Sequence, residues 1–384
     1  MLKKREEIFG RKTWIFFDEI NTCESMGLIG EIMCNNSILG EEIKSNLVFL
    51  GACNPYRTMT KKLKESGLVY YNQSTNKRAN LVYTVNPLPF NLLNFIFNFG
   101  SIKPQDERKY IESMVFETIK QIYPESSSNE IIEIRNLTTD VICHCHTFIR
   151  KIYDESSVSL REVRRFNIFF KYFTNYLSND SEYKNKYSSI KEKFIDSINL
   201  TTYLCYYLRL SEKEFRKKLQ KDLTEIFGKD FLDVPMREES FIAEQFIIEK
   251  EKGIALNRAL RENLFTLFVC TVNSVPLIIC GKPGTGKSLS VNSLYISMKG
   301  NYSKSKLFRQ YKQLYISSYQ GSETSTSQGI KEAFARARAP LIKLEKENKE
   351  QNIISMLFFD EMGLAEKSKN NPLKAIHSEL EYPK

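Results

Sequence analysis

Residues 277–289 constrain the fold of this chain more than any other segment, because they join a strand pattern directly to a phosphate-binding pattern. The apolar residues 277–279 predict a buried strand. It leads into Gly281-x-x-x-x-Gly286-Lys287-Ser288, which fills every fixed position of the P-loop. Residues 289–298 keep helical spacing, so the positive end of a helix is expected to face the same loop. The segment therefore predicts an α/β nucleotide-binding fold, whereas a chance glycine- and lysine-rich loop would lack the flanking strand and helix.

Each residue type in this loop suits the phosphate chain of a nucleotide. Successive backbone N–H groups can surround the phosphates, and glycine lets the backbone approach them without a Cβ clash. Lys287 is expected to reach the β- and γ-phosphates, and Ser288 is expected to hold Mg²⁺. We therefore predict ATP and Mg²⁺ as cofactors. The predicted nucleotide-binding residues are Gly281, Lys282, Pro283, Gly284, Thr285, Gly286, Lys287, Ser288 and Leu289.

The length and charge of the chain limit the number of units and the kind of partner. A length of 384 residues predicts two or three compact units. The net charge is +10, yet lysine and arginine are spread along the whole length with acidic residues between them. This distribution is more typical of a solvated surface than of a nucleic-acid interface, so we predict no specific nucleic-acid partner.

The cysteine pattern indicates reduced thiols and a cytoplasmic location. Eight cysteines occur without a Cys-x-x-Cys pair, and no secretory signal is expected from the charged residues 1–7. In the run Cys143-His144-Cys145-His146, helical geometry would place only the first and last residues on one face. A zinc site needs four convergent ligands, so a helix with buried cysteine is favoured. Residues 264–280 are uncharged but interrupted by Pro276, so no transmembrane segment is predicted.

Two distant segments, residues 14–19 and 356–361, share four apolar residues followed by Asp-Glu. This is the Walker B pattern, in which the aspartate joins the Mg²⁺ shell and the glutamate acts on the attacking water. Apolar runs that end in acidic residues are also common at ordinary strand ends, but the second segment follows the P-loop at a common α/β spacing. We predict Asp18 and Asp360 as metal residues and Glu19 and Glu361 as catalytic residues.

A polar residue also ends the next apolar segment, residues 47–53, which runs into Asn54-Pro55. An asparagine at the end of a strand beside Walker B can orient the attacking water without carrying charge, as a γ-phosphate sensor must. The alternative is a turn-forming Asn-Pro pair at a strand end. The order of Walker B, helix, strand and asparagine favours a catalytic Asn54.

The middle of the chain predicts helices. Ser159 and Glu162 form a capping box, so a helix is expected to begin there. Arg161, Arg164 and Arg165 would then share one face, which either contacts nucleotide phosphates or is an ordinary solvated surface.

Together these patterns predict P-loop modules, each a parallel sheet flanked by helices, with a helical lid and a helical connector between them. The predicted boundaries are 1–88 for the part with the first Walker B and the asparagine, 89–178 for the lid, 179–240 for the connector, and 241–384 for the part with the P-loop and the second Walker B.

This order of parts resembles the end of one AAA+ module followed by the start of the next, as in dynein-like and midasin-like chains. Six segments carry a more specific resemblance: 17–22 (FDEINT), 52–57 (ACNPYR), 85–89 (VNPLP), 159–163 (SLREV), 281–284 (GKPG) and 360–366 (DEMGLAE). They look like the mysterin family, giant RING-finger E3 ubiquitin ligases with a dynein-like AAA+ core. The resemblance covers nearly the whole chain apart from the connector.

The resemblance implies the second half of a third module joined to the first half of a fourth, the two ATPase-competent modules of that family. By position it implies Asn54 as sensor 1, Arg161 as the sensor 2 candidate and Arg78 as an arginine finger, with the Asp-Glu pairs and the P-loop in the roles given above. It implies neighbouring AAA+ modules of the same polypeptide and ubiquitin-pathway proteins as partners. The P-loop of the third module, the sensor 1, finger and lid of the fourth, and the ligands of a RING are not found in this sequence.

The function predicted from these residues is ATP binding and hydrolysis by tandem AAA+ modules, as the motor core of a mysterin-like E3 ligase. A nucleotide-holding scaffold without turnover is one alternative, and a dynein- or midasin-type remodelling ATPase is another. Glu19 and Glu361 favour hydrolysis, because a scaffold needs neither of them. The dispersed charge argues against a nucleic-acid-dependent motor.

Overall fold

The computed structural model describes residues 12–23, 25–43, 46–55, 85–124, 129–179, 187, 189–248, 253–282, 284–347, 352–370 and 372–381. The chain forms two compact units, Met1–Lys103 and Pro104–Lys384. Within the described residues, none of the helices combines the length and the apolar composition needed to cross a bilayer.

The first unit contains a pair of parallel strands. Its elements are β1 (Thr13–Phe17), α1 (Met26–Gly30), a π-helical turn (Glu31–Asn35), β2 (Ser37–Ile38), β3 (Glu41–Glu42), β4 (Leu47–Gly51) and a 3₁₀ segment (Phe90–Phe95). β1 and β4 pair in parallel, with Phe17 opposite Gly51 at their carboxyl ends. Parallel pairing brings both carboxyl ends to one edge. The segments that follow the two strands therefore lie side by side.

The second unit opens with helices. They are α2 (Pro104–Ile122), α3 (Asn129–Ile152), α4 (Leu160–Asn179), α5 (Ile190–Thr202), α6 (Lys213–Phe227) and α7 (Asp233–Glu244). The apolar residues of α3 recur every three or four positions, for example at Val141, Cys145 and Ile149, and these side chains are buried. The run 143–146 lies inside this helix, as its sequence predicted.

The rest of the second unit alternates helices with two strands. Its elements are α8 (Arg258–Val272), α9 (Lys287–Ser297), α10 (Lys306–Arg309), β5 (Gln313–Gln320), α11 (Ser327–Lys346), β6 (Ile353–Asp360), α12 (Met362–Glu366) and α13 (Lys374–Glu381). β5 and β6 pair in parallel over their full length, with Gln320 opposite Asp360 at the end. Since α11 connects them, β5, α11 and β6 form a β-α-β unit of the kind expected for an α/β fold.

The segment before the P-loop differs from its sequence prediction. Residues 275–282 are in neither helix nor strand, although a buried strand was expected at 277–279. Ile278 is 70% exposed, whereas its neighbours Leu277 and Ile279 pack against the main core. The prediction of a buried strand is therefore wrong. Alternate residues of an extended segment face opposite sides. Here the described residues cover the side of Leu277 and Ile279 and leave the side of Ile278 exposed.

One hydrophobic core extends from α2 to β5 through the second unit. Phe173 of α4 stacks on Phe265 of α8 with ring centroids 6.2 Å apart, and both side chains are fully buried. Nearby, the hydroxyl groups of Tyr172 and Tyr311 are hydrogen-bonded across 3.0 Å. Helix α8, which precedes the P-loop, therefore shares a continuous apolar interior with α4.

A π-helical turn at Tyr203–Tyr207 ties three helices of this core together. Tyr203 donates its hydroxyl to the Glu239 carboxylate on α7. The Tyr206 hydroxyl lies 3.2 Å from Nε2 of His146 on α3. Arg258, at the start of α8, donates to the Tyr207 hydroxyl across 3.4 Å. This one turn therefore makes hydrogen bonds to three neighbouring helices.

Candidate nucleotide-binding site

The P-loop turns sharply into the start of a helix. Gly284 and Gly286 both have φ of 80°, a left-handed conformation that residues with a Cβ rarely adopt. Gly286 caps α9, and Lys287 is its first residue. The first backbone N–H groups of a helix have no intrahelical acceptor, so they are available to an anion. The glycine turn therefore leads directly into a helix start of the kind that can bind an anion.

Hydrogen bonds within the loop hold its two ends together. Nζ of Lys287 donates to the carbonyl oxygens of Gly281 and Lys282 across 2.7 and 3.1 Å. Oγ1 of Thr285 donates to the same carbonyl of Lys282 across 2.9 Å. A Cβ on Gly281 would stand 2.7 Å from that threonine oxygen, so a larger residue at this position would displace the Thr285 side chain. The Lys287 ammonium group thus lies against the loop that is predicted to hold the nucleotide phosphates.

The other predicted P-loop residues are placed as follows. Ser288 is exposed in the first turn of α9, and Leu289 is half-buried against the main core. Pro283 lies outside the described residues, as does Arg78. The described loop residues therefore present polar atoms outward while Leu289 fixes the helix to the interior.

The course of α9 relates the P-loop to the second Asp-Glu pair. The helix begins at the P-loop, and just beyond its end the Met298 carbonyl accepts a hydrogen bond of 3.0 Å from Leu314 at the start of β5. Asp360 lies at the opposite end of the β5–β6 pair. The helix thus runs from the P-loop back to the amino-terminal edge of the strands, which is the course that a site at their carboxyl-terminal edge requires. No hydrogen bond or ion pair links Lys287 to Asp360 or Glu361 within the part of the chain that the structure describes.

The second Asp-Glu pair has a specific backbone geometry. Glu361 has φ of 50° and ψ of 43°, and its N–H donates to Oδ1 of Asp360 across 3.0 Å. The Asp360 carbonyl accepts a bond of 2.9 Å from the N–H of Gly321, which follows β5. Glu361 is exposed and Asp360 is partly exposed, so both carboxylates can reach a ligand from the strand edge.

The first Asp-Glu pair repeats this geometry in the other unit. Glu19 has φ and ψ of 47°, and its N–H donates to Oδ1 of Asp18 across 3.1 Å. A left-handed conformation in a residue with a long side chain costs free energy and is often found at functional sites. The sequence likeness between the two segments therefore extends to the same unusual turn after a parallel strand.

Asn54 lies beside the first Asp-Glu pair, since it follows β4 and β4 pairs with β1. Its carbonyl oxygen accepts a hydrogen bond of 2.7 Å from the side chain of Asn21, and Asn54 is itself exposed. Asn21 is 6% exposed, and its own carbonyl accepts a bond of 2.7 Å from the N–H of Asn86. Sequence reasoning missed Asn21. A polar residue two positions after an Asp-Glu pair, in a segment about to be buried, was the available signal.

Arg161 lies in the first turn of α4, in the second unit. The glutamate half of the predicted capping box is present, because the N–H of Ser159 donates to Glu162 across 2.7 Å. The Ser159 hydroxyl accepts from the N–H of Arg161 across 3.2 Å, one residue before the N–H that a full box would use. The Arg161 side chain is exposed. The local helix start is therefore confirmed, while its contact with a nucleotide remains a prediction.

The Cys-His run on α3 belongs to the helical core. Burial raises the pKa of Cys145, so its thiol is protonated and is a poor metal ligand. Both ring nitrogens of His146 are hydrogen-bonded within the protein, Nδ1 to the Glu107 carboxylate at 3.4 Å and Nε2 to the Tyr206 hydroxyl at 3.2 Å. Among the described residues, no group of three or more cysteine, histidine or acidic side chains is placed to hold a metal ion.

Comparison with known sequences identifies relatives of the chain. Two family profiles, both of the RNF213 AAA domain, match residues 253–384 and residues 1–57. The human E3 ubiquitin-protein ligase RNF213 is 31% identical over 399 residues, covering 96% of this chain and 7% of the relative. For the zebrafish (Danio rerio) E3 ubiquitin-protein ligase rnf213-beta the identity is 29% over 402 residues, covering 99% and 8%. For mouse RNF213 it is 30% over 399 residues, covering 96% and 8%.

The two profile matches fall on the two parts of the chain that carry the Asp-Glu pairs. AAA domains are in general nucleotide-binding α/β domains, so the α/β fold predicted from the P-loop is confirmed. The chain spans only 7–8% of the length of these relatives.

Proposed function

The chain belongs to the RNF213, or mysterin, family, and from this premise we propose that its P-loop binds ATP-Mg²⁺ and that its AAA modules hydrolyse ATP. The observation that carries the proposal is the turn from Gly284 and Gly286 directly into α9, with the Lys287 ammonium group against the loop. A helix that starts at a glycine-rich turn offers several N–H donors and a lysine to one anion. A polyphosphate is the ligand that such a set of donors fits.

Four residues of the second unit have a task in this proposal. Lys287 binds the β- and γ-phosphates, while Ser288 and Asp360 hold the metal ion. Bound Mg²⁺ would neutralise negative charge on the phosphate oxygens. Glu361 accepts a hydrogen bond from the attacking water and orients it. Its place directly after Asp360, at the end of β6, supports this role.

The first unit is proposed to contribute to a second, equivalent site. Asp18 would hold Mg²⁺, Glu19 would orient water, and Asn54 would contact the γ-phosphate. The repeated turn at Glu19 supports the first two assignments. Arg161, on α4 of the second unit, stays the sensor 2 candidate that the family resemblance implies.

The relatives' names suggest the setting of this activity. Several are called E3 ubiquitin-protein ligases, so the modules are proposed to serve as the motor core of a cytoplasmic ligase polypeptide. Neighbouring AAA modules of that polypeptide and ubiquitin-pathway proteins are the proposed partners.

Titration with a fluorescent ATP analogue tests the proposed binding. Lys287→Ala is expected to weaken binding by about 2–4 kcal/mol, because a charged contact to the phosphates is lost. Lys312→Ala is the matched control, since Lys312 is an exposed lysine before β5 and the substitution removes the same charge away from the loop. Equal affinity of the Lys287→Ala and wild-type proteins would refute the proposed site. Tight binding without phosphate release, even within the longer polypeptide, would favour a nucleotide-holding scaffold.

A further inference from the structure

Helix α8 contacts the P-loop through two residues on one face. Nδ2 of Asn263 donates a hydrogen bond of 3.2 Å to the carbonyl oxygen of Thr285. One turn earlier, Leu260 lies so close to the loop that a Cβ on Gly286 would stand 3.4 Å from its Cδ1 atom. Residues three apart on a helix share a face, so both contacts come from the same side of α8.

The hydrogen bond from Asn263 fixes the direction of one peptide group in the loop. In a trans peptide the C=O and the following N–H point in opposite directions. Because the Thr285 carbonyl is held toward α8, the N–H of Gly286 must point away from α8. The next N–H groups in the chain are those at the start of α9, which are predicted to face the phosphates.

This peptide group needs an external restraint. Gly286 has φ of 80°, and glycine occupies both positive and negative φ at similar free energy. The Thr285–Gly286 peptide could therefore rotate more easily than one between residues with a Cβ. The Asn263 amide opposes that rotation, because turning the carbonyl away would leave a half-buried donor without its partner.

Helix α8 is itself held firmly at this end. The Asn257 side chain accepts a bond of 2.9 Å from the N–H of Leu260 and so caps the helix. Glu262 accepts charged bonds of 2.7 Å from both Arg216 on α6 and Arg258 on α8. The residue that restrains the P-loop therefore stands on a helix start that α6 fixes in place.

We propose that Asn263 is a positioning residue that aims the P-loop N–H groups at the nucleotide phosphates. This inference rests on the proposed function of the P-loop as an ATP site. Asn263 acts through the Thr285 carbonyl and does not touch the nucleotide. The geometry distinguishes it from an ordinary stabilising amide, because its acceptor is the carbonyl that sets the direction of the Gly286 N–H.

The chain offers a matched control on the same helix. Nδ2 of Asn273, at the other end of α8, donates a bond of 2.8 Å to the carbonyl of Val269. Asn263→Asp and Asn273→Asp each remove one amide donor to a backbone carbonyl with no change in side-chain size. Only the first substitution affects the P-loop.

The test uses the full 384-residue chain, with two measurements on each variant. Fluorescent ATP titration is expected to show about tenfold weaker binding for Asn263→Asp and a change within about twofold for Asn273→Asp. Hydrogen exchange without nucleotide is expected to speed up over residues 281–289 for Asn263→Asp only. Asn263→Ser removes the same contact without adding a charge, and it is expected to give the same result in both measurements. A loss of affinity confined to Asn263→Asp would be charge repulsion on the phosphates and would overturn the inference.

The two measurements separate this inference from the proposed function. If wild-type protein does not bind ATP but exchange over 281–289 responds only to Asn263→Asp, the proposed function fails and the restraint on the loop stands. Unchanged affinity and exchange in Asn263→Asp would overturn the inference. Equal losses of affinity in both variants, tracking their loss of stability, would also overturn it and leave Asn263 as an ordinary structural amide.

Discussion

A Cβ on Gly321 would stand 3.0 Å from the carbonyl carbon of Glu361 and closer still to its carbonyl oxygen. Gly321 follows β5, and its N–H donates to the Asp360 carbonyl across 2.9 Å. The end of β5 therefore lies directly on the Asp360-Glu361 turn. A side chain at position 321 and the left-handed turn at Glu361 are incompatible without a backbone shift.

Gly321→Ala is therefore expected to displace Glu361. We expect a loss of about 1–3 kcal/mol in unfolding free energy, because the new methyl group overpacks the turn. Phosphate release should fall further than nucleotide affinity, since Glu361 is proposed to orient water. Gly363→Ala is the control, because a Cβ on Gly363 meets nothing within 4 Å. Denaturant unfolding and phosphate-release assays on both variants make the comparison, and equal effects would refute the strain argument.

Glu361→Gln tests the catalytic role directly. The substitution keeps the size of the side chain and removes the carboxylate that is proposed to accept a hydrogen bond from the attacking water. Within a longer family polypeptide, we expect unchanged ATP affinity and loss of steady-state phosphate release. Glu366→Gln is the control, because Glu366 is exposed at the end of α12. Turnover that survives Glu361→Gln would remove Glu361 from the proposed mechanism.

Local features of this chain could be predicted from its sequence, because they depend on residues close together in the chain. The P-loop pattern predicted the α/β fold and the helix that begins at Lys287. The capping box at Ser159 and Glu162 predicted the start of α4. The shared Asp-Glu pattern predicted that Glu19 and Glu361 follow parallel strands, although not their left-handed turns.

Contacts between distant segments could not be predicted in this way. Asn263 and Thr285 are far apart along the chain and meet only because α8 packs beside the loop. Asn21 reaches Asn54 only after β1 and β4 pair. The error at Ile278 has the same origin. An apolar residue shows that burial is favourable, but the neighbouring elements decide which face is covered.

The common core of α4 and α8 predicts cooperative unfolding of these helices. Phe173→Ala removes a fully buried ring that stacks on Phe265, so we expect a loss of about 3–5 kcal/mol in unfolding free energy. Hydrogen exchange should increase in both α4 and α8. Tyr302→Ala is the control, since Tyr302 is 90% exposed, and a change within about 0.5 kcal/mol is expected. Increased exchange confined to α4 would show that the two helices unfold independently.

Two buried groups in the helical core, Glu107 and His146, make stability depend on pH. Glu107 accepts two bonds of 2.7 Å from Arg150, and these lower the pKa of its carboxyl group below the ordinary value of 4.5. Its contribution to stability is therefore present above pH 4.5 and lost as the pH falls through the folded pKa. Burial lowers the pKa of His146 below 6.5, because desolvation disfavours the charged imidazolium. The unfolded chain therefore takes up this proton at a higher pH than the folded chain.

Stability is consequently expected to begin to fall as the pH drops below 6.5, where the unfolded chain starts to take up the His146 proton. Replacing the histidine in a His146→Gln variant removes this proton uptake, so the slope of unfolding free energy between pH 7 and 5.5 should flatten. The loss of stability below pH 4.5 should persist while Arg150 still pairs with Glu107. Thr147→Ala changes the exposed neighbour on the same helix and should keep the wild-type slope. Urea unfolding at a series of pH values measures both windows. An unchanged slope in His146→Gln would show that another group governs stability near neutral pH.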